Sequence, residues 1–343
     1  MTPRIAIVIL NWNGKAHLET FLPSVIRNSP SSVQIIVGDN GSTDDSLNFL
    51  SEHFPPVRVI PLGANLGFAG GYNAILRQVE ADYFVLLNSD VEVTENWIIP
   101  VIDLMEQHEL IGAVQPKILA YKDKHKFEHA GAAGGYIDVL GYPFCAGRIL
   151  DTTEVDNGQY QEDKEIFWAT GAALFIKRRA WEQAGGFDAD FFAHMEEIDL
   201  CWRLKILGYQ VWYCATSTVY HVGGGTLQKE NPFKTYLNFR NNLLMLQKNL
   251  PFWQAVFTLF IRFWLDFLAL IRFLSEGKTK DAQAINKAHV NFFRNFWKTA
   301  KKRKQFRTFG MMTGVYKGSI IWAYYIKKKK SFTDLQISKL YRN

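Results

Sequence analysis

The chain begins with short apolar runs that alternate with longer stretches of mixed polarity. Four of these runs, each long enough for a buried strand, lie at residues 5–10, 33–37, 57–60 and 83–87. The stretches between them, near residues 15–28, 44–53 and 71–80, have the length and spacing of helices. Short buried strands separated by helices are typical of parallel sheets. The pattern therefore predicts an α/β fold with a mostly parallel sheet flanked by helices.

Three of the predicted strands end in polar clusters. Asn11 follows the first strand, Asp39 follows the second, and the fourth ends in Asn88, Ser89 and Asp90. Each cluster alone is also compatible with a turn, because these side chains bond readily to nearby backbone. The carboxyl ends of parallel strands lie at one edge of a sheet, where α/β proteins bind ligands. The three clusters together predict a cleft for a polar ligand.

A glycine-rich segment, residues 65–73, precedes the fourth strand and contains Asn65, Gly67 and Asn73. We predict a loop as far as Gly71, followed by a helix, because glycines allow close approach of the backbone to a ligand. No Gly-Lys-Ser/Thr follows this loop, and no Gly-x-Gly-x-x-Gly follows the first strand. The sequence therefore argues against a P-loop and against a dinucleotide-binding fold.

A second group of candidate chemical residues is the acid-rich segment at residues 192–203. It places Glu196, Glu197 and Asp199 within four residues. On a helix, Glu196 and Asp199 would share a face and Glu197 would be offset from them. Carboxylates also suit the N-terminal end of a helix dipole, so a solvated helix start is the alternative interpretation.

Composition sets the class of the protein. With 343 residues, of which 48% are hydrophobic, the chain can bury a large core. The three cysteines lack metal-binding spacing and fit free thiols in a reducing compartment. The first strand follows Met1 closely, without a secretory signal, so we expect a cytoplasmic location.

Charge is distributed unevenly along the chain. Residues 276–343 contain 17 Lys or Arg against 3 Asp or Glu, a net charge of +14. Since the whole chain carries +6, residues 1–275 carry −8. Lysine-rich clusters at residues 301–304 and 327–330 stand next to aromatic residues, which suits an anionic membrane surface. Nothing in the acidic part resembles a base reader, so no nucleic-acid partner is expected.

The basic region follows a strongly apolar stretch at residues 251–274. Its polar residues Thr258, Arg262 and Asp266 fall on one helical face. Charged residues interrupt every 18-residue window, which argues against a simple transmembrane helix. The pattern favours an interfacial helix, or one packed into a helical appendage or a homodimer.

An ordered set of motifs across residues 3–245 resembles family 2 glycosyltransferases with the GT-A fold, in the bacterial rhamnosyltransferase-like branch. The resemblance implies a GT-A domain at residues 1–235 and a helical, basic, membrane-associating region at residues 236–343. The segments that carry it lie at residues 8–13, 37–44, 65–73, 87–90, 170–172, 185–188, 196–200 and 221–224.

The resemblance implies a divalent cation, Mg²⁺ or Mn²⁺, on the diphosphate of a nucleotide sugar. Asn88 stands where the family's Asp-x-Asp motif has its first Asp, so Asp90 would be the main carboxylate ligand. His221 would complete the metal site, and its imidazole suits Mn²⁺ better than Mg²⁺. A lone histidine is more often structural, so that role stays open for His221.

The same resemblance assigns a donor site for a dTDP- or UDP-sugar. Asp39 would accept a hydrogen bond from the base or the ribose, with Asn11 beside it. Further donor-site candidates are Asn65, Gly67, Asn73, Asn88, Ser89 and Asp90. Trp168 and Gly171 would shape the sugar and acceptor pocket, although Trp168 could equally belong to the core.

The resemblance also implies a catalytic base. The family motif is Glu-Asp-x-Asp, and its second acid deprotonates the acceptor hydroxyl. That position is Glu197 here, a departure that leaves the register between Glu196 and Glu197 open and keeps Asp199 as a candidate. A carboxylate base suits a single displacement at the anomeric carbon, which inverts its configuration.

The sequence thus predicts an inverting, metal-dependent glycosyltransferase of cell-envelope polysaccharide synthesis. The sugar would be rhamnose in the first instance, and the acceptor a polysaccharide or polyprenyl-diphosphate-linked glycan at the inner face of the cell membrane. One alternative is a sugar-nucleotide pyrophosphorylase, whose glycine-rich loop with Arg and Lys after the first strand is missing here. The other is a non-catalytic scaffold that binds membrane or polysaccharide. That alternative predicts the loss of Asp90 or of the acids at residues 196–199, and both are present.

Overall fold

A computed structural model describes residues 3–223, 231–303, 312–335 and 340 of the chain. Gly224 of the motif after His221, and Lys304 of the first lysine-rich cluster, lie outside the described residues. The helices and strands are, in chain order, β1 (Ile5–Asn11), α1 (Lys15–Arg27), β2 (Gln34–Asp39), α2 (Ser46–His53), β3 (Arg58–Pro61), α3 (Gly67–Leu76), β4 (Tyr83–Asn88), β5 (Val91–Val93), α4 (Ile99–Gln107), β6 (Ile111–Ala120), β7 (Asp123–Phe127), β8 (Gly135–Asp138), β9 (Pro143–Cys145), β10 (Arg148–Ile149), β11 (Thr152–Thr153), β12 (Lys164–Ile166), β13 (Ala173–Lys177), α5 (Arg178–Ala184), a 3-10 turn (Ala189–Phe191), α6 (Glu196–Ile206), β14 (Gln210–His221), α7 (Pro232–Asn249), α8 (Phe252–Ser275), α9 (Thr279–Arg294), α10 (Phe296–Ala300), β15 (Val315–Tyr316) and α11 (Ile320–Tyr325).

The first four strands form the parallel half of a ten-stranded sheet. Strand β1 pairs in parallel with β2 on one side and with β4 on the other, and β3 extends the sheet beyond β2. The sheet order is β12-β14-β6-β13-β4-β1-β2-β3. Strand β13 runs antiparallel to both β4 and β6, so the sheet is mixed and the predicted parallel arrangement holds for β1–β4. The predicted α/β fold is confirmed.

The central strands are apolar on both faces because helices cover both sides of the sheet. In β1, Ile7 and Ile9 pack on one face, in a core that includes Leu18 of α1. Ala6 and Val8 point the other way, into the core that includes Tyr72 of α3. This alternation follows from the two-residue period of a strand.

The glycine-rich segment differs from the prediction, since α3 begins at Gly67 rather than after Gly71. Two asparagine side chains replace the helical hydrogen bonds missing at its start. Asn65 Oδ1 accepts from Gly67 N at 2.8 Å, and Asn40 Oδ1 accepts from Leu66 N at 3.0 Å. A Cβ on Gly71 would lie 2.8 Å from Leu10, so glycine lets α3 pack closely on β1.

The C-terminal residues pack against residues 135–145, which include strands β8 and β9. Strand β15 pairs with β8 in a second, five-stranded sheet, and the ring of Phe332 packs at a tilt against Tyr136, with 4.8 Å between ring centroids. The predicted boundary after residue 235 falls inside α7. Apolar residues of the later elements, among them Leu243 of α7 and Ile320 of α11, belong to the same core as Tyr72 of α3.

Helix α8 presents its polar stripe to the protein and its apolar side outward. Thr258, Arg262 and Asp266 are buried, whereas large side chains such as Trp253 and Phe257 are 79% and 66% exposed. By length and composition alone, α8 could cross a membrane, although single helices of this kind are weak indications. Arg262 and Asp266 face the protein interior and Arg272 is exposed, and the expectation that α8 is not a simple transmembrane helix stays a prediction.

Candidate active site

Asn11 and Asp39 meet at the carboxyl edge of the parallel strands. They are register partners, since β1 and β2 end together, and both are buried. Asn11 Nδ2 donates to Asp39 Oδ1 at 3.2 Å and to Ser42 Oγ at 3.1 Å, and Asp39 Oδ2 accepts from Ser42 N at 3.0 Å. Asn11 Oδ1 is buried and forms no hydrogen bond within the described residues. This unsatisfied acceptor suits a ligand N–H or O–H.

The neighbouring loop after β1 lies against the end of β4. A Cβ on Gly14 would lie 2.5 Å from Asn11 Oδ1 and 3.6 Å from Ser89 Oγ. Leu10, which precedes Asn11, is the register partner of Asn88. The residues predicted from three separate strand ends are therefore brought to one place, as the parallel arrangement requires.

The remaining donor-site candidates from the glycine-rich segment serve the backbone around them. Asn65 and Gly67 form the start of α3 and are joined through Asn40, whose Nδ2 donates to Asn65 Oδ1 at 3.1 Å. Asn73 is held on Phe187: its Nδ2 donates to the Phe187 carbonyl at 2.8 Å, and its Oδ1 accepts from Phe187 N at 3.0 Å. Asn73 therefore joins α3 to the segment that leads to the acidic motif.

Asp90 and His221 form a buried pair at the same edge. Strand β14 brings His221 opposite Val91, and His221 Nε2 lies 3.2 Å from Asp90 Oδ1 and 3.4 Å from Asn88 Nδ2. Burial tends to raise the pKa of Asp90, but the charge of His221 and its hydrogen bond lower it overall. Asp90 is thus held as a carboxylate.

The other side of the imidazole faces Glu128, a residue that the sequence did not indicate. Glu128 Oε2 lies 3.3 Å from His221 Nδ1, and the same carboxylate accepts from the backbone N–H of Ala130. A carboxylate on one ring nitrogen orients a histidine so that its other nitrogen can bind a metal. No local signal could have singled out Glu128, because 93 residues separate it from His221 in the sequence.

These residues fit a divalent cation that is shared with a ligand. One carboxylate and one imidazole, Asp90 and His221, stand side by side at the end of the sheet. Within the described residues there is no group of three or more His, Cys, Asp or Glu arranged to hold a metal. Hard divalent cations need few protein ligands when phosphate oxygens and water fill the other positions. The donor set is therefore suited to a cation carried by a diphosphate.

The segment Thr170–Ala172 connects this cation site to the acidic motif. The Asn88 N–H donates to the Ala172 carbonyl at 3.0 Å, which fixes the segment to the end of β4. A Cβ on Gly171 would lie 3.0 Å from the Phe68 ring and 4.0 Å from Glu197 Cβ. Gly171 thus stands between the two centres, as the predicted pocket requires, and its lack of a side chain keeps the backbone close to Glu197.

The acids themselves lie at the start of α6, after an unusual turn. Phe192, His194 and Met195 all have positive φ, of 65°, 68° and 70°. For residues with bulky side chains this conformation costs about 1–3 kcal/mol each and is concentrated at functional sites. The turn points Glu196 and Glu197 inward instead of leaving a solvated helix start.

Both glutamates are held in an environment that favours the protonated form. Burial raises the pKa of Glu197 to about 7, and burial together with neighbouring Glu197 raises the pKa of Glu196 well above its usual range. The Oε2 atoms of both residues are buried and form no hydrogen bond with the part of the chain that the structure describes. Glu197 is half-buried and Glu196 is buried, so Glu197 is the more accessible acid.

Asp199, the third predicted acid, is engaged elsewhere. It accepts from Arg203 Nε at 2.8 Å, Lys248 Nζ at 2.8 Å and Asn249 Nδ2 at 2.7 Å. Burial opposes ionisation, but the charges of Lys248 and Arg203 lower the pKa of Asp199 overall. Its carboxylate therefore faces the contact between α6 and α7 and anchors one helix to the other.

Helix α7 also holds the strained turn in place. Asn241 Nδ2 lies within 2.7–2.9 Å of the carbonyl oxygens of Phe191, Ala193 and His194. Arg240 Nη2 donates to the carbonyl of Phe191 at 2.8 Å. The local sign of this role in the sequence is the run of three polar residues, 240–242, in the middle of α7.

Trp168 is placed in the core rather than in a pocket wall. It is 4% exposed, and its indole Nε1 donates to the Tyr136 carbonyl at 2.8 Å. Gly135 packs against the ring so closely that a Cβ there would lie 2.2 Å away. Both the apolar ring and the polar N–H of Trp168 are therefore used within the fold.

The fold and the site together define a GT-A glycosyltransferase. A parallel half-sheet ends in a buried Asn–Asp pair and an Asp–His pair, and a buried acidic motif lies next to them. The family model for glycosyl transferase family 2 matches residues 6–176. The chain belongs to this family, in its rhamnosyltransferase-like branch.

Similar proteins of known name and structure agree with this assignment. N-acetylglucosaminyl-diphospho-decaprenol L-rhamnosyltransferase of Mycobacterium tuberculosis is 28% identical over 239 residues, covering 64% of this chain and 76% of that protein. The structure of GalNAc-T7 with UDP, GalNAc and Mn²⁺ superposes with a TM-score of 0.55 at 15% identity, over 71% of this chain and 47% of that one. The mannosyltransferase PcManGT of Pyrobaculum calidifontis, with GDP-Man and Mn²⁺, gives a TM-score of 0.52 at 13% identity, over 87% and 88%. These structural similarities establish the shared fold.

Proposed function

We propose that the protein is an inverting, metal-dependent glycosyltransferase that transfers a sugar, rhamnose in the first instance, from a dTDP- or UDP-sugar to a lipid-linked glycan. One observation carries this proposal: two carboxyl groups that differ in how readily they ionise, Asp90 and Glu197, lie on either side of residues 170–172. Asp90 is kept ionised beside His221, whereas Glu197 is held by burial near the point of half-protonation at neutral pH.

The two centres suit the two chemical tasks of a glycosyl transfer, which are stabilising the departing diphosphate and deprotonating the acceptor hydroxyl. A bound divalent cation would neutralise the negative charge that develops on the departing diphosphate. Asp90 and His221 would hold it, Asn88 would lie alongside, and Glu128 would orient the imidazole. Burial lowers the pKa of His221, but Asp90 and Glu128 raise it overall to about 10, so the imidazole would release a proton as the cation binds. Asp39 and Asn11 would bind the nucleoside, with Ser89 near the diphosphate.

Glu197 would act as the general base. A base with a pKa near 7 is ionised often enough to accept a proton and basic enough to remove one from a hydroxyl. The acceptor hydroxyl would lose its proton to Glu197 as its oxygen attacks the anomeric carbon from the face opposite the diphosphate. Glu196, whose burial and neighbouring Glu197 raise its pKa and favour the protonated form, would support this group. Asp199 would position the motif through Lys248 rather than take part in the reaction.

The acceptor proposal rests on the relative from Mycobacterium tuberculosis, whose name describes a diphospho-decaprenol acceptor. A lipid-linked acceptor requires the enzyme to lie at a membrane. Large apolar side chains are exposed on the outward side of α8, and others are exposed at Val290 and Phe293 of α9, at Trp322 of α11 and at Ile326 just after α11. Exposed Lys327, Lys328 and Lys330 follow α11 directly.

The first basic cluster contributes less to this surface than the sequence indicated. Lys302 bonds to Asp188 at 2.5 Å and to Asp190 at 2.8 Å, and Arg303 donates to the Leu250 carbonyl at 2.6 Å. These cations hold α10 against the catalytic domain. We therefore place the anionic-leaflet contact on the second cluster, Lys327–Lys330, and on the apolar side of α8, with the protein lying peripherally on the cytoplasmic face.

Two experiments test the proposal. Calorimetric titration with UDP and with dTDP, with and without Mn²⁺, tests the donor site, and nucleotide binding that is unaffected by the cation would contradict a metal-dependent enzyme. Transfer assays with dTDP-rhamnose and UDP-sugars, followed by NMR of the product linkage, then test the donor and the predicted inversion.

Flotation with liposomes tests the membrane contact. The full chain should float with anionic vesicles and less so in high salt, because each Lys near an anionic surface contributes about 1 kcal/mol. Replacing Lys327, Lys328 and Lys330 by Glu should abolish flotation. Replacing Lys302, which is already paired with Asp188 and Asp190, should leave flotation unchanged. Protein that ignores anionic vesicles and behaves as a dimer would indicate that the apolar side is a subunit interface.

A further inference from the structure

A cavity of about 430 Å³ lies outside the donor and cation sites, between α7, α8 and α11. This is within the size range of small-molecule pockets, about 300–1,000 Å³. Its wall is mostly apolar and includes side chains from five separate parts of the chain: Tyr142, Met195, Phe239, Leu265, Ala269 and Ile321. A cavity with such walls excludes water from whatever hydrocarbon enters it.

The inner end of the cavity adjoins the proposed base. Met195 lines the cavity and precedes Glu197 by two residues. Because two residues span at most about 7 Å of backbone, the cavity comes close to the acid that faces the acceptor hydroxyl. A molecule in this cavity is therefore placed to be part of the acceptor.

The cavity also contains buried polar groups with incomplete partners. Arg262 and Asp266 line it and are 2% and 1% exposed. Arg262 Nε and Asp266 Oδ1 form no hydrogen bond within the described residues, although Arg262 Nη2 lies 3.5 Å from that same Asp266 oxygen. Arg262 lies over the Tyr142 ring at 3.8 Å. The Nε–H of Arg262 is therefore a buried donor without a partner among the described residues, on a residue that lines the cavity.

The mouth of the cavity combines positive charge with an apolar surface. Arg272 and Tyr325 line it, and the exposed Lys327 and Lys328 follow Tyr325 within three residues. Leu268, which also lines the cavity, is 59% exposed on the outer side of α8. The cavity is thus continuous with the surface proposed to contact the membrane.

We propose that this cavity binds the diphosphate end of an isoprenoid chain, the part of the acceptor that is joined to the accepting sugar. The diphosphate lies on the side of the cavity toward Met195 and the proposed base, where the buried Arg262 lines the wall and its Nε has no partner among the described residues. The first isoprene units lie against Leu265, Ala269 and Ile321, with Arg272 and the neighbouring lysines beside the mouth. The rest of the chain passes over Leu268 into the lipid. The inference rests on the proposed function, in that a lipid-linked glycan is the acceptor, and it adds where and how the lipid is recognised.

The test uses farnesyl diphosphate as the probe and the full chain with its donor site saturated by Mn²⁺ and whichever of UDP or dTDP it binds. Saturation prevents the probe from occupying the donor diphosphate site. We expect farnesyl diphosphate to bind at least 10-fold more tightly than inorganic diphosphate in calorimetric titration. Ala269→Trp fills the cavity and should weaken farnesyl diphosphate binding at least 10-fold, as should Ile321→Trp from the opposite wall.

Val256→Trp is the matched control. Val256 is 48% exposed on the same helix and lies away from the cavity lining, so the added indole leaves the cavity open. This variant should bind farnesyl diphosphate as the wild type does. The thermal melting of each variant and its nucleotide affinity separate cavity filling from misfolding.

The outcomes distinguish the inference from the proposed function. Nucleotide binding with Mn²⁺ but no binding of farnesyl diphosphate would overturn the cavity assignment alone. Equal affinity for inorganic and farnesyl diphosphate in the wild type, or unchanged affinity in folded Ala269→Trp and Ile321→Trp, would overturn it as well. Failure of nucleotide binding and of sugar transfer, whatever the probe does, would instead remove the proposed function.

Discussion

Replacing Glu197 by glutamine keeps the size of the side chain and removes its ionisation. In the folded protein burial raises the pKa of Glu197 from the ordinary 4.5 to about 7. The folded state therefore retains a proton that the unfolded chain releases, and the free energy of unfolding falls as pH rises from 4.5 to 7. The same change removes the proposed base. Glu197→Gln should accordingly make the enzyme more stable and less active.

The magnitude follows from the pKa difference. A shift from 4.5 to about 7, at 1.36 kcal/mol per unit, corresponds to about 3 kcal/mol of stability lost above pH 7. At pH 8, Glu197→Gln should recover much of this lost free energy of unfolding, which raises Tm by several degrees. At pH 4.5 the substitution should leave the free energy of unfolding unchanged. Turnover should fall by about 10²–10⁴ while nucleotide binding persists. In the wild type, kcat/KM should rise with pH with a midpoint near 7.

The assay pairs calorimetric melting at pH 4.5 and pH 8 with initial rates of sugar transfer. Glu196→Gln is the matched control, because Glu196 is the more deeply buried acid and its pKa is raised well above its usual range, so its amide should change turnover little. If Glu196→Gln or Asp199→Asn abolishes turnover and Glu197→Gln does not, the assigned register of the motif is wrong. If Glu197→Gln melts like the wild type at pH 8, the carboxylate is solvated and the reasoning from burial fails.

Three further substitutions test the surroundings of the site. Asp90→Ala should fold but lose Mn²⁺-dependent binding of the nucleoside diphosphate in calorimetric titration, and unchanged affinity with Mn²⁺ would exclude the metal role. Glu128→Gln leaves His221 less well oriented, so the Mn²⁺ affinity measured by electron paramagnetic resonance should fall about 10–100-fold at unchanged melting temperature. Lys248→Met leaves the buried carboxylate of Asp199 short of a cation and should cost about 3–5 kcal/mol in urea unfolding, and adding Asp199→Asn should restore part of the loss.

The sequence by itself determined the order of the first strands and the position of the ligand edge. Apolar runs separated by helices place successive strand ends on one side of a parallel sheet, so Asn11, Asp39 and Asp90 had to lie close together. The polar stripe of α8 at Thr258, Arg262 and Asp266 was likewise visible in the helical period. These features depend on local periodicity and connection length, which a single sequence contains.

Only the tertiary structure decided which way the polar residues face and what they contact. Local spacing put three acids at the start of α6, but Lys248, 49 residues after Asp199, turns that carboxylate toward α7 and leaves Glu197 near Gly171. Glu128 reaches His221 through the pairing of β7 and β14 with β6. The stripe on α8 could have faced water or protein, and the buried partners of Arg262 turned it inward. Such choices follow from contacts between distant residues, because burying a charge is favourable only where a partner from elsewhere in the chain meets it.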